Sequence, residues 1–243
     1  MTTTLPQQPT GFATLAAALV TGLLAGLAQA GTLEVLVLDK DGQPVPDAVV
    51  IVLPSAHGAA NMAPTPWGGP AAFKKALPLS ATVNQEKMQF LPKVTVVGLG
   101  AKVRFTNNDA WDHHVRLTVP GAVASATPSN DGLALRLEGK SEGKPASSTV
   151  LTLDKPGATG AVLLGCFIHG SMIGHVYVAE SPWTVKTEAN GIALIEDVPE
   201  GAASVKVWHA IQLVEKTPQS VAVGAAPAKL TFQLDVVPRR RRV

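Results

Sequence analysis

The chain has 243 residues, 46% of them hydrophobic and only 5% aromatic, with 22 Gly, 19 Pro and one Cys. That apolar fraction excludes a disordered chain, the lone cysteine excludes an internal disulfide, and the Gly and Pro content favours short strands joined by turns. The formal charge is +2, but four of the 20 cations form the run at residues 239–242, so the remaining 16 face 18 acidic residues and give the body no basic face for nucleic acid.

The first segment, MTTTLPQQPTGFATLAAALVTGLLAGLAQAG, carries an apolar run over residues 12–27 followed by Ala28-Gln29-Ala30, a small-residue cleavage pattern. It predicts a secretory signal over residues 1–30 and a mature chain from Gly31. No Lys or Arg precedes the apolar run, so retention as a membrane anchor is the alternative. Either way the body lies outside the cytoplasm, periplasmic or secreted, with no stable membrane insertion once the signal is cleaved. In such an oxidising compartment an unprotected thiol is a liability, and Cys166 needs a reason to persist.

Beyond Gly31, LEVLVLD and VVIVLP read as two strands around the turn KDGQPVPDA. Residues 55–80 are thick with Ala, Pro and Gly and read as a linker. Alternation returns in KVTVVGLGAKVRFTNND, where Val103 and Phe105 alternate with Lys102, Arg104 and Thr106. Residues 118–144 are loop-like around one strand, LALRLEG. Residues 150–153 and 161–164 are apolar strands separated by KPGATG, and HVYVAE is another. Short strands punctuated by Asn190-Gly191 and Pro199-Glu200-Gly201 fill the remainder. No segment makes an amphipathic helix of normal length, and no internal repeat is evident. The fold class is all-β.

The chemistry concentrates in CFIHGSM, residues 166–172. A thiol, an imidazole and a thioether are soft and borderline donors, suited to copper and not to calcium or magnesium. Zinc has no use for the Met, and a c-type haem needs two cysteines. A trigonal His₂Cys site with a weak axial Met requires a second histidine. NNDAWDHHV supplies His113 and His114 at the end of the strand VRFTN, so two loops at one end of a sandwich can meet.

NNDAWDHHV followed by GCFIHGSM resembles the cupredoxins, the small blue copper proteins such as plastocyanin and amicyanin. Their pattern is an Asn-containing turn, a ligand His after a strand, and a closing loop Cys-x₂-His-x₂₋₄-Met, here in its short form. The resemblance implies one type 1 copper held by His113, Cys166, His169 and Met172, with His114 as the alternative to His113. A closer resemblance is to the exported plastocyanin-like proteins often labelled methylamine utilisation proteins. It is carried by Gln85, Phe90-Leu91-Pro92, Val103-Arg104-Phe105, Asn108-Asp109, His113-His114-Val115, Leu164-Gly165-Cys166, Met172-Ile173-Gly174 and Val207-Trp208-His209. The chain departs from that group at Phe167, where Asn is usual, and at Gly170-Ser171, where a bulkier pair is usual.

A nucleophilic Cys/His reading leaves Met172 unused and finds no orienting partner, so no catalytic residue is nominated and the protein is not read as an enzyme. Asp112 reads as an exposed loop acid, and His57 and Met62 as coincidences of the linker. His175 reads as structural or incidental, facing solvent or linker, while Trp208 and His209 read as packing residues.

The ends of the mature chain, LEVLVLDKDGQPVPDAVVIVLP and VKTEANGIALIEDVPEGAASVKVW, resemble two parts of a transthyretin-like, carboxypeptidase-regulatory β-sandwich. The expected organisation is therefore a discontinuous sandwich over residues 31–54 plus 183–236, a linker over 55–80, a cupredoxin-like Greek-key sandwich over 81–182, and a basic tail over 237–243. The alternative adds residues 31–54 to the cupredoxin sheet, and contact of Val35 or Val37 with residues 204–208 distinguishes the two. The implied function is single-electron transfer by a type 1 copper centre, with a transient redox partner docking near His169. Two readings stand against it, a copper-binding carrier or store and a metal-free adaptor.

Overall fold

The computed structural model describes residues 30–55, 77–118, 134–154 and 159–237. The expected signal apart from its last residue, Ala30, most of the linker with His57 and Met62, and the run of four arginines lie outside them. Among the described residues there are strands and no helix: β1 (Ala30–Leu38), β2 (Val49–Pro54), β3 (Ser80–Glu86), β4 (Gln89–Leu91), β5 (Val94–Gly98), β6 (Ala101–Asn107), β7 (His113–Thr118) and β8 (Ala134–Leu137). They continue as β9 (Ser148–Leu153), β10 (Gly160–Gly165), β11 (Ile173–Ala179), β12 (Thr184–Lys186), β13 (Ile192–Pro199), β14 (Gly201–Trp208), β15 (Gln219–Val223) and β16 (Ala228–Gln233).

The strands form four sheets, ordered β13-β1-β16, β12-β2-β14-β15, β5-β11-β10-β7-β8 and β4-β3-β6-β9. Alternation decides the inner faces, because successive strand side chains point to opposite sides. In β1, Leu33, Val35 and Val37 are fully buried while the residues between them are half-buried. They share a core with Val50, Val52, Trp183, Ile195, Val205, Val207 and Phe232, so residues 31–54 and 183–236 pack together. The turn from β1 toward β2 is closed by Asp39, whose Oδ1 accepts from the amides of Asp41 and Gln43, both at 2.8 Å. Gly42 takes the left-handed conformation the turn requires, with φ of 76°.

The five- and four-stranded sheets enclose a second core of Val83, Phe90, Val103, Phe105, Val115, Val162, Leu164 and Val176, which also takes in Cys166 and Met172. The all-β sandwich architecture expected from the sequence is the one observed. A third cluster lies between the two sandwiches: Val49 and Ile51 of β2 meet Val94, Tyr177 and Ala179, with Val96, Ala161 and Trp208 beside them. The sheets therefore stack in four layers, which explains the unbroken apolar run of VVIVLP. A strand covered on both faces has no solvent side to mark with polar residues.

Two expectations need correction. The strands β3 and β4 fall where a linker end and an unassigned stretch were expected, because SATVNQE buries only Val83 and Gln85 and shows little hydrophobic alternation. Second, His113 and His114 do not sit on a loop; they open β7 and pair with Leu137 and Arg136 of β8. His175, expected to be structural or incidental, is half-buried, and its ring meets Trp208 edge-on at 5.2 Å in the layer between the sandwiches.

Candidate metal centre

The hairpin of β10 and β11 is paired up to Gly165↔Ile173, so residues 166–172 form the loop that caps its open end. Cys166 leaves β10 turned into the core, and Met172 re-enters it before β11; they are 7% and 1% exposed. Between them the loop is closed by the Met172 amide, which donates to the His169 carbonyl at 2.8 Å. Gly174 permits this return, because a Cβ there would press on the Phe90 Cβ at 2.8 Å.

The other arm is β7. Its neighbour β10 pairs with it antiparallel, Gly165 opposite Arg116, which brings the start of β7 beside the capping loop. His113 is fully buried, and its Nδ1 lies 3.0 Å from Nδ1 of His169 and 4.0 Å from Sγ of Cys166. Sγ and the His169 Nδ1 are 3.7 Å apart. Three donor atoms thus make a triangle. An ion bound at about 2.0 Å to nitrogen and about 2.3 Å to sulfur in a trigonal plane sets N···N near roughly 3.5 Å and N···S near roughly 3.7 Å. The N···S sides lie close to those values and the N···N side is about 0.5 Å shorter, so the cluster His113–Cys166–His169 has roughly the dimensions to hold a metal ion.

The tautomer of His113 is fixed by Asp109. Nε2 of His113 lies 2.8 Å from Oδ2 of Asp109, and an ionised carboxylate can only accept, so the proton resides on Nε2 and the lone pair on Nδ1. Burial opposes ionisation of Asp109, but the Met88 amide, the His113 ring and the Lys87 amide outweigh it and hold its carboxyl below the usual value. The Met88 and Lys87 amides donate at 2.9 and 2.7 Å. The backbone of Asp109 is set in turn by Asn107, whose Oδ1 accepts its amide at 3.0 Å while Nδ2 donates to the carbonyls of Trp111, Leu137 and Glu138. Asp109 is a residue that sequence reasoning missed as part of the site, and its spacing of four before His113 was the available signal.

His114 has a different place from His113. Its amide donates to Sγ of Cys166 at 3.3 Å, its carbonyl accepts from Gln85 Nε2 at 3.0 Å, and its ring lies edge-on to Phe167. Asp112 faces away from the triangle, accepting from Arg136 and, at 2.8 Å, from the Gly139 amide. Gly139 has no room for a side chain, since a Cβ would overlap the Ala110 carbonyl. Around the half-buried His169, the side chains of Phe167, Ile168 and Ile173 are exposed, and the Arg116 guanidinium lies 4.9 Å from the Phe167 ring centroid.

No protein-family model and no curated protein sequence matches the chain. Among solved structures, the reduced Cu(I) form of an amicyanin point mutant at pH 4 is 24% identical over 41% of this chain and 81% of that one, with a TM-score of 0.29. Amicyanin from Paracoccus versutus is 19% identical over 44% and 92%, with a TM-score of 0.32. Dithionite-reduced auracyanin from Roseiflexus castenholzii is 19% identical over 43% and 99%, with a TM-score of 0.33.

Proposed function

We propose that the protein is an exported type 1 copper protein that carries single electrons between redox partners. The observation behind this reading is the triangle of Nδ1, Nδ1 and Sγ, with the His113 lone pair aimed inward by Asp109. His113 and His169 would supply the imidazole ligands, Cys166 the thiolate and Met172 a thioether, a donor set that fits copper. Copper, when bound, supplies the one-electron couple. The residues around it hold the donors still: Asp109 fixes one imidazole, the His114 amide braces Sγ, and the Met172 amide closes the loop on His169. Donors held by protein contacts need little rearrangement when the ion changes charge, and that favours fast transfer.

The half-buried His169 with its exposed apolar neighbours is the proposed electron port, docking a small redox protein transiently. We also propose that residues 81–182 form the copper domain and residues 31–54 plus 183–236 a transthyretin-like support for it.

The test is a visible spectrum of the copper-loaded protein. An intense thiolate-to-copper band that bleaches reversibly on reduction and is absent in Cys166→Ala supports the reading. Tight Cu(I) binding without reversible cycling favours a carrier or store, and equilibrium dialysis showing no copper uptake favours a metal-free adaptor.

A further inference from the structure

Gln85 of β3 is 0% exposed, on the same inward side of the strand as Val83. Its Nε2 donates to the His114 carbonyl at 3.0 Å, and because a carbonyl only accepts, the orientation of the amide group is fixed. Its Oε1 is then buried with no partner among the described residues. A buried unpaired acceptor is costly, so packing alone does not account for an amide at this position.

The end of a ladder accounts for it. β7 pairs with β10 only as far as Arg116 opposite Gly165, and β10 stops there, two residues short of a partner for His114. A strand residue directs its amide and its carbonyl to the same side. At His114 side chains complete the missing rung: Cys166 Sγ accepts from the amide at 3.3 Å, and Gln85 donates to the carbonyl. The two groups flank one Cα, so a shift of the carbonyl swings the amide relative to the sulfur. Gln85 is itself anchored, since its carbonyl accepts from the Asn108 amide at 2.8 Å and it lies opposite Asn107 in the pairing of β3 with β6.

We propose that Gln85 is a positioning residue for the Cys166 thiolate: by holding the His114 carbonyl it sets the hydrogen bond to the sulfur, and through it the reduction potential of the copper site. The inference rests on the copper reading. A hydrogen bond donated to the sulfur draws electron density from it, which leaves less to stabilise the more positive ion. Releasing the carbonyl weakens that bond and favours Cu(II).

The test compares three variants of the full chain. Gln85→Leu removes the donor, and Gln85→Asn keeps an amide on a shorter arm. Val83→Ala is the control, a deletion on the same side of β3 in the same core. Potentials of the copper-loaded proteins are measured by spectroelectrochemistry, and amide exchange of the metal-free proteins by NMR. Both Gln85 variants are expected to keep the thiolate-to-copper band. Their ratio of Cu(II) to Cu(I) affinity rises at least about threefold, which lowers the potential by about 28 mV at about 59 mV per decade. Exchange of the His114 amide speeds up at least about tenfold relative to the other amides of β7. Val83→Ala loses stability with its potential unmoved. An unshifted potential or an unchanged His114 exchange rate in both Gln85 variants, or an equal potential shift in Val83→Ala, overturns the proposal and leaves the copper reading standing. Absence of the band in the unaltered protein overturns both. If neither Gln85 variant folds to bind copper, Gln85 is a folding residue and the proposal fails.

Discussion

Asp109 accepts a hydrogen bond from Nε2 of His113 at 2.8 Å, and both groups are buried. The carboxylate cannot donate, so it dictates which ring nitrogen carries the proton. Asp109→Asn replaces an obligate acceptor with a group that can also donate, allowing the other tautomer with Nδ1 protonated. The expected outcome is copper affinity lowered about 10- to 100-fold, measured by competition with a chelator. Unchanged affinity would show that the ring orientation is set elsewhere.

Met172 is 1% exposed and belongs to the sandwich core as well as to the proposed site. Met172→Leu conserves volume, so stability is expected to change by less than about 1.5 kcal/mol. If the thioether is a weak axial donor, the thiolate-to-copper band persists while the reduction potential rises, because removing a donor disfavours the more positive ion. Loss of the band would instead make Met172 part of the main coordination plane. Spectroelectrochemistry distinguishes the two.

The site was legible where its donors are close in sequence. Cys166, His169 and Met172 fall within seven residues, and the Asn107–His114 segment pointed to their partner. The ring of His113, not that of His114, joins the triangle because β7 starts there and places alternate residues inward. Asp109 showed in the sequence only as a spacing of four before His113, since its role depends on amides of Lys87 and Met88 in a turn far earlier in the chain. The strand β3 was hidden for a related reason: Gln85 is buried by bonding to the His114 carbonyl, so polarity gave the wrong signal. The run VVIVLP announced a strand but not the second sandwich that covers its other face.

Protonation of the layer between the sandwiches sets a pH dependence. Burial, and then the neighbouring His209 charge, holds the His175 imidazole below its ordinary value of 6.5. For His209 burial also lowers it, against the raising effects of the Asp47 carboxylate and the Pro46 carbonyl. Above 6.5 both rings are neutral in either state. As pH falls through 6.5 the unfolded chain takes up protons that the folded chain refuses, so stability drops until the lowered folded values are reached. Thermal melts are expected to shift down by a few °C between about pH 7.5 and about pH 5.5. His175→Gln/His209→Gln is expected to flatten that slope. Asp109 acts in a separate window: its lowered carboxyl loses stability only as pH falls through 3.8 and below.

Ile51 tests whether the two sandwiches depend on one another. It is 1% exposed yet lies in the cluster between them, with Tyr177 and Ala179 of β11, and not in the core shared by its neighbours Val50 and Val52. Removing its methylenes leaves a cavity between two sheets that belong to different sandwiches. Ile51→Ala is expected to cost about 2–5 kcal/mol. If the layers unfold as a unit, the loss appears as one transition moved to lower denaturant, with Trp208 fluorescence and the copper band disappearing together. If the sandwiches are independent, the Trp208 signal moves first while the copper band, which reports the β10–β11 loop, keeps its original midpoint. Val35→Ala, placed in the core remote from the sheets that carry His113, Cys166 and His169, is the matching control. In a coupled molecule it shifts the copper band as well, and in an uncoupled one it leaves that band unmoved.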